Sequence, residues 1–143
     1  MALANGQAVA GGFEPGHYLP ELSIQNDGSG HALIQLENLE SGTKHLYYVA
    51  RSSSAEIRFV PVGRYSLSFA MDGRLAADCV TLVSAKMVVR FEEPFEFTVE
   101  EKYVQTANEF YTDIVVMNQW ATLFGVEDGN GPSDAITIED FNR

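Results

Sequence analysis

Asp128, Asn130, Asp134 and Glu139 stand at the first, third, seventh and twelfth places of a window in the register of a calcium loop. Calcium takes roughly six to eight oxygen ligands, and carboxylates and amides at these places are how one loop collects several of them. Pro132 and Ser133 occupy the places where such a loop wants a ligand and a turn-making glycine, and no strong helical pattern flanks the window. The plainer reading is a polar turn running from Glu127 to Asp134. No cofactor is expected, and calcium is the single candidate for which the chain holds a donor set.

Other reactive side chains are scattered. His17, His31 and His45 lack the i, i+2 or i, i+4 spacing that strand or helix ligands adopt, so they read as solvent-facing rather than as a zinc site. Serines and threonines are plentiful, yet no Gly-x-Ser-x-Gly elbow occurs, and a nucleophile without a base and an orienting group is inert. Cys79 is alone, which excludes a disulfide within the chain; beside Val80 and Leu82 it reads as a small buried hydrophobe. Tyr47, Tyr103, Tyr111 and Trp120 could stack on a sugar ring, although aromatics at alternating positions more often pack across strands. The chain is accordingly read as not an enzyme.

The elements that must hold these groups are strands. From Phe59 to Gly73 the chain packs a strand end, a Pro/Gly turn, an alternating strand and a second turn. Proline presets φ for one corner, glycine accepts the conformation that follows, and Tyr65, Leu67, Phe69 and Met71 then share a face. The same period of two runs through Leu22–Ile24, Ala32–Leu36, Leu46–Ala50, Ile57–Phe59 and Phe95–Val99, with turn signals at Asn26–Gly30 and Glu40–Thr43. Leu75 to Ser84 is apolar without a clean period and is left open. Phe110 to Met117 carries few charges and reads as a central strand, followed by strands at Trp120–Val126 and Ala135–Ile138. About eight or nine strands separated by polar turns predict an all-β fold, a single two-sheet antiparallel β-sandwich over residues 21–143.

Residues 1–20 hold glycines, alanines and two prolines with little periodicity, and are expected as a flexible N-terminal arm. They lack the basic start and long apolar run of a secretory signal, and nothing in the chain approaches the ~20 apolar residues of a membrane helix. The protein is expected in the cytoplasm or, if a leader has been removed, outside it. With 143 residues and 45% hydrophobic composition, including nine Phe, six Tyr and one Trp, one core is expected. A formal charge of −11 repels phosphate backbones and anionic membranes, which excludes nucleic acid as a natural partner.

The run Phe59-Val60-Pro61-Val62-Gly63-Arg64-Tyr65-Ser66-Leu67 resembles the apolar-Pro-x-Gly-x-Tyr-x-Leu signature of prealbumin-like sandwiches, which include carboxypeptidase regulatory-like and collagen-adhesin B-type domains. Ala32–Leu36, Tyr48-Val49, Phe91–Thr98 and Gly129–Phe141 are similar to the order of elements in uncharacterised bacterial domains of this type. The resemblance implies an Ig-like or prealbumin-like sandwich that binds, spaces or assembles, with no catalytic residues. Adhesin-type relatives often join a strand Lys to an Asn or Asp, but Lys44, Lys86 and Lys102 lie in no matching motif.

These readings converge on a structural or assembly module that works by protein contact, chiefly self-association. The expected interface joins Val9, Phe13, Tyr18 and Leu19 of the arm to Phe110, Tyr111, Ile114 and Val116. The alternative is a glycan-binding or calcium-dependent recognition domain.

Overall fold

A computed structural model describes residues 3–123 and 133–143. The described residues form an all-β fold with a short helix at their C-terminal end. Its backbone is the strand set β1 (Ala8–Ala10), β2 (Leu22–Asn26), β3 (Ala32–Asn38), β4 (Lys44–Val49), β5 (Ser53–Ile57) and β6 (Gly63–Met71). There follow β7 (Arg74–Leu75), β8 (Leu82–Ser84), β9 (Met87–Phe91), β10 (Phe95–Gln105), β11 (Phe110–Met117), β12 (Gln119–Leu123), β13 (Ser133–Ala135) and α1 (Ile138–Asn142).

The largest sheet runs β1-β4-β3-β6-β10-β11, with β9 also pairing β6 and β13 pairing β9. A second sheet runs β12-β2-β5; among the described residues every strand pairing is antiparallel except β12 with β2. The expected face of β6 is realised, with Tyr65, Leu67, Phe69 and Met71 all buried. They share one cluster with Ala32, Ile34 and Leu36 of β3, Phe97 of β10, and Leu22, Ile24, Ile57, Ala121 and Leu123 of the smaller sheet. The core is thus supplied by both sheets, as alternation on each dictates.

The Pro/Gly turn works as its residues require. Gly63 opens β6 with φ +153°, a conformation other residues rarely adopt, and the Tyr65 hydroxyl donates to Pro61 O at 2.9 Å, tying the strand to the turn before it. Burial holds the Tyr65 phenol above its ordinary pKa.

β3 is buried on both faces, which period-two reading does not anticipate. Leu33 joins a second cluster with Leu46, Ala70, Leu82, Val88 and Phe141, beneath α1 and β8. Gln35 Nε2 donates to Phe141 O at 2.9 Å, and the Asn142 side chain bonds both Leu82 N–H and Leu82 O at 2.8 Å. A Thr137–Asp140 capping box starts α1, so the strand expected at Ala135–Ile138 ends at Ala135. The Asp140 carboxylate, accepting from Thr137, is held below its ordinary pKa.

The segment expected as a loose arm lies along the main sheet. Ala8 and Ala10 pair with Tyr47 and Leu46 of β4, and Gly6 N–H donates to Tyr48 O at 2.8 Å. The open stretch 75–84 holds the β7–β8 hairpin, whose turn places Cys79 on the surface with φ +60°. That corrects the buried-hydrophobe reading: Leu82 is the buried residue, while Val80 faces solvent. Of the strand expected at Trp120–Val126, Gln119–Leu123 is described; residues 124–132 lie outside the described residues.

Candidate functional site

β10 and β11 build the most distinctive surface. β10 joins β6 only through Phe95, Glu96 and Phe97; from Thr98 onward its partner is β11 alone. Residues 98–117 therefore form a two-stranded ribbon, in unbroken register from Thr98↔Met117 to Gln105↔Phe110. The turn closes on Thr106 N–H donating to Glu109 O at 2.8 Å, reinforced by Glu109 N–H donating to the Thr106 hydroxyl at 3.1 Å.

Cross-strand partners share a face, so Val99, Glu101, Tyr103 and Gln105 stand beside Val116, Ile114, Thr112 and Phe110. Phe97 begins this face inside the core, fully buried, and the ribbon carries it out beyond the body. Tyr103 is 84% exposed and Phe110 82%, with Val99, Ile114 and Val116 half-buried. The opposite face mixes Val104, Tyr111, Val115 and Met117 with Glu100, Lys102 and Asp113. Isolated exposed apolar residues are ordinary, but here a core stripe continues into solvent on a two-stranded element that is marginal by itself.

Hydrogen-bonding parity identifies what the free edge offers. Narrow and wide pairs alternate along an antiparallel ladder. Starting from the bonded Thr106/Glu109 pair, the N–H and C=O of Tyr111, Asp113, Val115 and Met117 turn toward β10. Those of Phe110, Thr112, Ile114 and Val116 turn outward. Among the described strands β11 is thus an edge, not the central strand that its low charge predicted.

Of the expected interface residues, Phe110, Tyr111, Ile114 and Val116 come together on this ribbon. The arm residues do not join them. Val9 packs on the cluster around Leu46 and Phe141, and Phe13 packs on the core. The Phe13 ring lies 4.1 Å from His45 and edge-on to Tyr65 at 6.1 Å, and its N–H donates to the Tyr47 hydroxyl at 2.8 Å. Leu19 is half-buried, and Tyr18 is exposed with φ +55°. Val99 and Tyr103 are ribbon residues that the sequence reading left out of the interface. Their signal was the period-two run Phe97, Val99, Glu101, Tyr103, which outlasts the strand assigned as far as Val99.

The other candidates fare variously. The aromatic platform does not assemble: Tyr47 is buried in the core, and Tyr103 and Tyr111 project from opposite ribbon faces. Trp120 is exposed beside a small hollow of about 230 Å³ lined by Glu93, Pro94, Phe95 and Gln119. Asp128 and Asn130 lie outside the described residues. Asp134 hydrogen-bonds Glu92, whose carboxyl this contact and the repulsion behind it push above its ordinary pKa, while Glu139 pairs with Arg143 at 3.4 Å. His17, His31 and His45 contact Tyr18, Tyr48 and Phe13 respectively; no metal-ligating group of three forms among the described residues.

A concavity of about 490 Å³ is lined by Val9, His31, Leu33, Tyr48, Leu75 and Cys79 among others. His31 Nε2 donates to Gly73 O at 2.9 Å, because a carbonyl only accepts. Its Nδ1 lies 3.9 Å from Asp72 Oδ1, and the ring stacks on Tyr48 at 5.4 Å. Both nitrogens thus face groups of the turn at 72–73. No helix among the described residues is long and apolar enough to cross a membrane.

No family model, curated protein or solved structure matches this chain.

Proposed function

We propose that this protein is a non-enzymatic β-sandwich module, in the manner of prealbumin-like domains, that works by protein contact and assembles through the β10–β11 ribbon. One observation carries the reading: the apolar face that begins at buried Phe97 continues through half-buried Val99, Ile114 and Val116 to Tyr103 and Phe110, which are almost fully exposed. Exposed strand edges in natural proteins are shortened, bulged or charged unless they are used. β11 spans Phe110–Met117 with Asp113 as its one charged residue and no break in register. Strand addition supplies affinity through the main chain and specificity through alternate side chains.

The test is solution mass by light scattering at two concentrations, for the native chain and for Phe110→Lys. The native mass is expected to rise above the 15.7 kDa of one chain with concentration, and the substitution to abolish the rise. A single-chain mass throughout would contradict the reading.

A glycan-recognition role is the second reading, favoured by exposed Trp120 beside Glu93 and Gln119, since sugar rings stack on aromatic faces while carboxylates and amides bond their hydroxyls. A glycan array with and without chelator tests it: binding lost in Trp120→Ala supports it, and no signal on any glycan rejects it.

A further inference from the structure

We infer that the occupant of the β11 edge is the β11 edge of a second copy of this chain, in a two-fold antiparallel pair centred on Ile114. This rests on the reading of the ribbon as the contact surface and adds to it the partner, the symmetry and the register.

The partner follows from the edges available. A two-stranded ribbon gains most from a neighbour that makes it a sheet of three or more strands, and β10-β11-β11-β10 is such a sheet. Within the described residues the other edges suit the role poorly. β1 is three residues long with a register shift, and β5 carries Glu56. β12 is bridged to β10 where Gln119 Nε2 donates to Glu96 O at 2.8 Å, and the free side of β10 carries Glu100, Glu101 and Lys102. On a second copy, β11 is the long, weakly charged edge that matches β11.

The register follows from overlap and charge. A two-fold axis between antiparallel strands places one residue opposite its own copy, and the two positions giving greatest overlap within Phe110–Met117 are Asp113 and Ile114. Centring on Asp113 sets two carboxylates face to face, which is destabilising. Centring on Ile114 sets Asp113 opposite Val115, Thr112 opposite Val116 and Tyr111 opposite Met117, with no like charges opposed. It also uses the outward groups: Ile114 exchanges N–H···O bonds with its copy, and Thr112 does so with Val116 on each side of the axis. Antiparallel pairing sends the two bodies to opposite ends of the shared ribbon.

Three variants test this in a Cys79→Ser background, which removes the native thiol. Ile114→Cys on the axis puts the two thiols on Cα atoms ~5.5 Å apart, within disulfide range, and mild oxidation is expected to give a covalent dimer. Tyr103→Cys, on the far strand, is expected to give none. Ile114→Pro removes an N–H that points away from β10, so the ribbon ladder is kept while pairing across the edge is blocked; a loss of dimer of at least about tenfold in dissociation constant is expected, with the strand content of the native chain by circular dichroism. A dimer that Ile114→Pro abolishes but Ile114→Cys does not cross-link overturns the two-fold register and leaves the ribbon as contact surface. A native chain of single-chain mass at every concentration overturns both.

Discussion

Replacing Phe13 with alanine separates two roles for the N-terminal segment, because an interface residue and a core residue fail differently. The ring is half-buried against Tyr47 and Tyr65, both in the core, and tilts over His45 at 4.1 Å. Full burial of a phenylalanine side chain contributes ~1.5–3 kcal/mol, so half of that is about 1 kcal/mol. The aromatic contacts add ~1 kcal/mol more. The Phe13 N–H bond to Tyr47 survives the substitution, so no buried donor is orphaned. The sum is about 2 kcal/mol against a total stability of ~5–15 kcal/mol. At ~4 °C per kcal/mol for a domain of this size, Tm should fall by roughly 8 °C in a calorimetric scan. Solution mass at matched concentration should not change. A Tm within about 2 °C of the parent, or a change of mass without a change of Tm, would refute the placement of this residue in the chain's own core.

Three other perturbations follow from the same geometry. Tyr65→Phe deletes the hydroxyl bond to Pro61 O, whose carbonyl sits on an exposed residue and can turn to water, so the loss should be ~1 kcal/mol by chemical denaturation with the m-value unchanged. Phe141→Ala empties a fully buried site between Leu33, Leu82 and Val88; a cost of ~3–5 kcal/mol is expected, with release of α1 seen as fast amide exchange at Phe141 and as lost protection of the Leu82 N–H that Asn142 accepts. Acid should act in two opposite steps. Glu92 has a raised pKa in the folded state, so its favourable contribution is full below the unfolded value and is lost as pH rises through the folded one; lowering pH from neutrality therefore tightens β13 on β9. Asp140 has a lowered pKa, so its contribution holds above the unfolded value and is lost as pH falls through the folded one, loosening the α1 cap. Residue-resolved exchange across this range should show β13 gaining protection before α1 loses it; simultaneous loss at both sites would contradict the assignment.

The strands were legible where one face meets the core and the other meets water. Tyr65, Leu67, Phe69 and Met71 alternate because β6 turns that face to the smaller sheet, and Pro61 and Gly63 mark the turn before it. β3 hid its second burial because Leu33 and Gln35 are covered by a C-terminal turn distant in sequence, and no local period reports such a contact. The Thr137–Asp140 spacing was a local signal for α1, overridden by the β-branched run Ile136-Thr137-Ile138. Low charge in Phe110–Met117 marked an apolar strand without saying where it sits, since a central strand of the fold and an exposed edge can carry the same residues. The N-terminal pairing was illegible for a related reason: Ala8 to Ala10 are held by main-chain bonds to β4, which side-chain patterns do not encode. Phe110, Tyr111, Ile114 and Val116 were grouped for their apolar strand character and do lie on one ribbon, while Val9 and Phe13, grouped with them for an apparent looseness, pack on the body of the fold.

The account turns on whether the outer edge of β11 is occupied in solution, and residue-resolved amide exchange at assembly concentration reads this directly. Tyr111, Asp113 and Val115 donate toward β10 and should be protected in any folded ribbon. Phe110, Thr112, Ile114 and Val116 donate outward, and the account predicts that Thr112, Ile114 and Val116 become protected to a similar degree, with protection lost on dilution. Protection of the inward set alone, with the outward amides exchanging freely at every concentration, would contradict it.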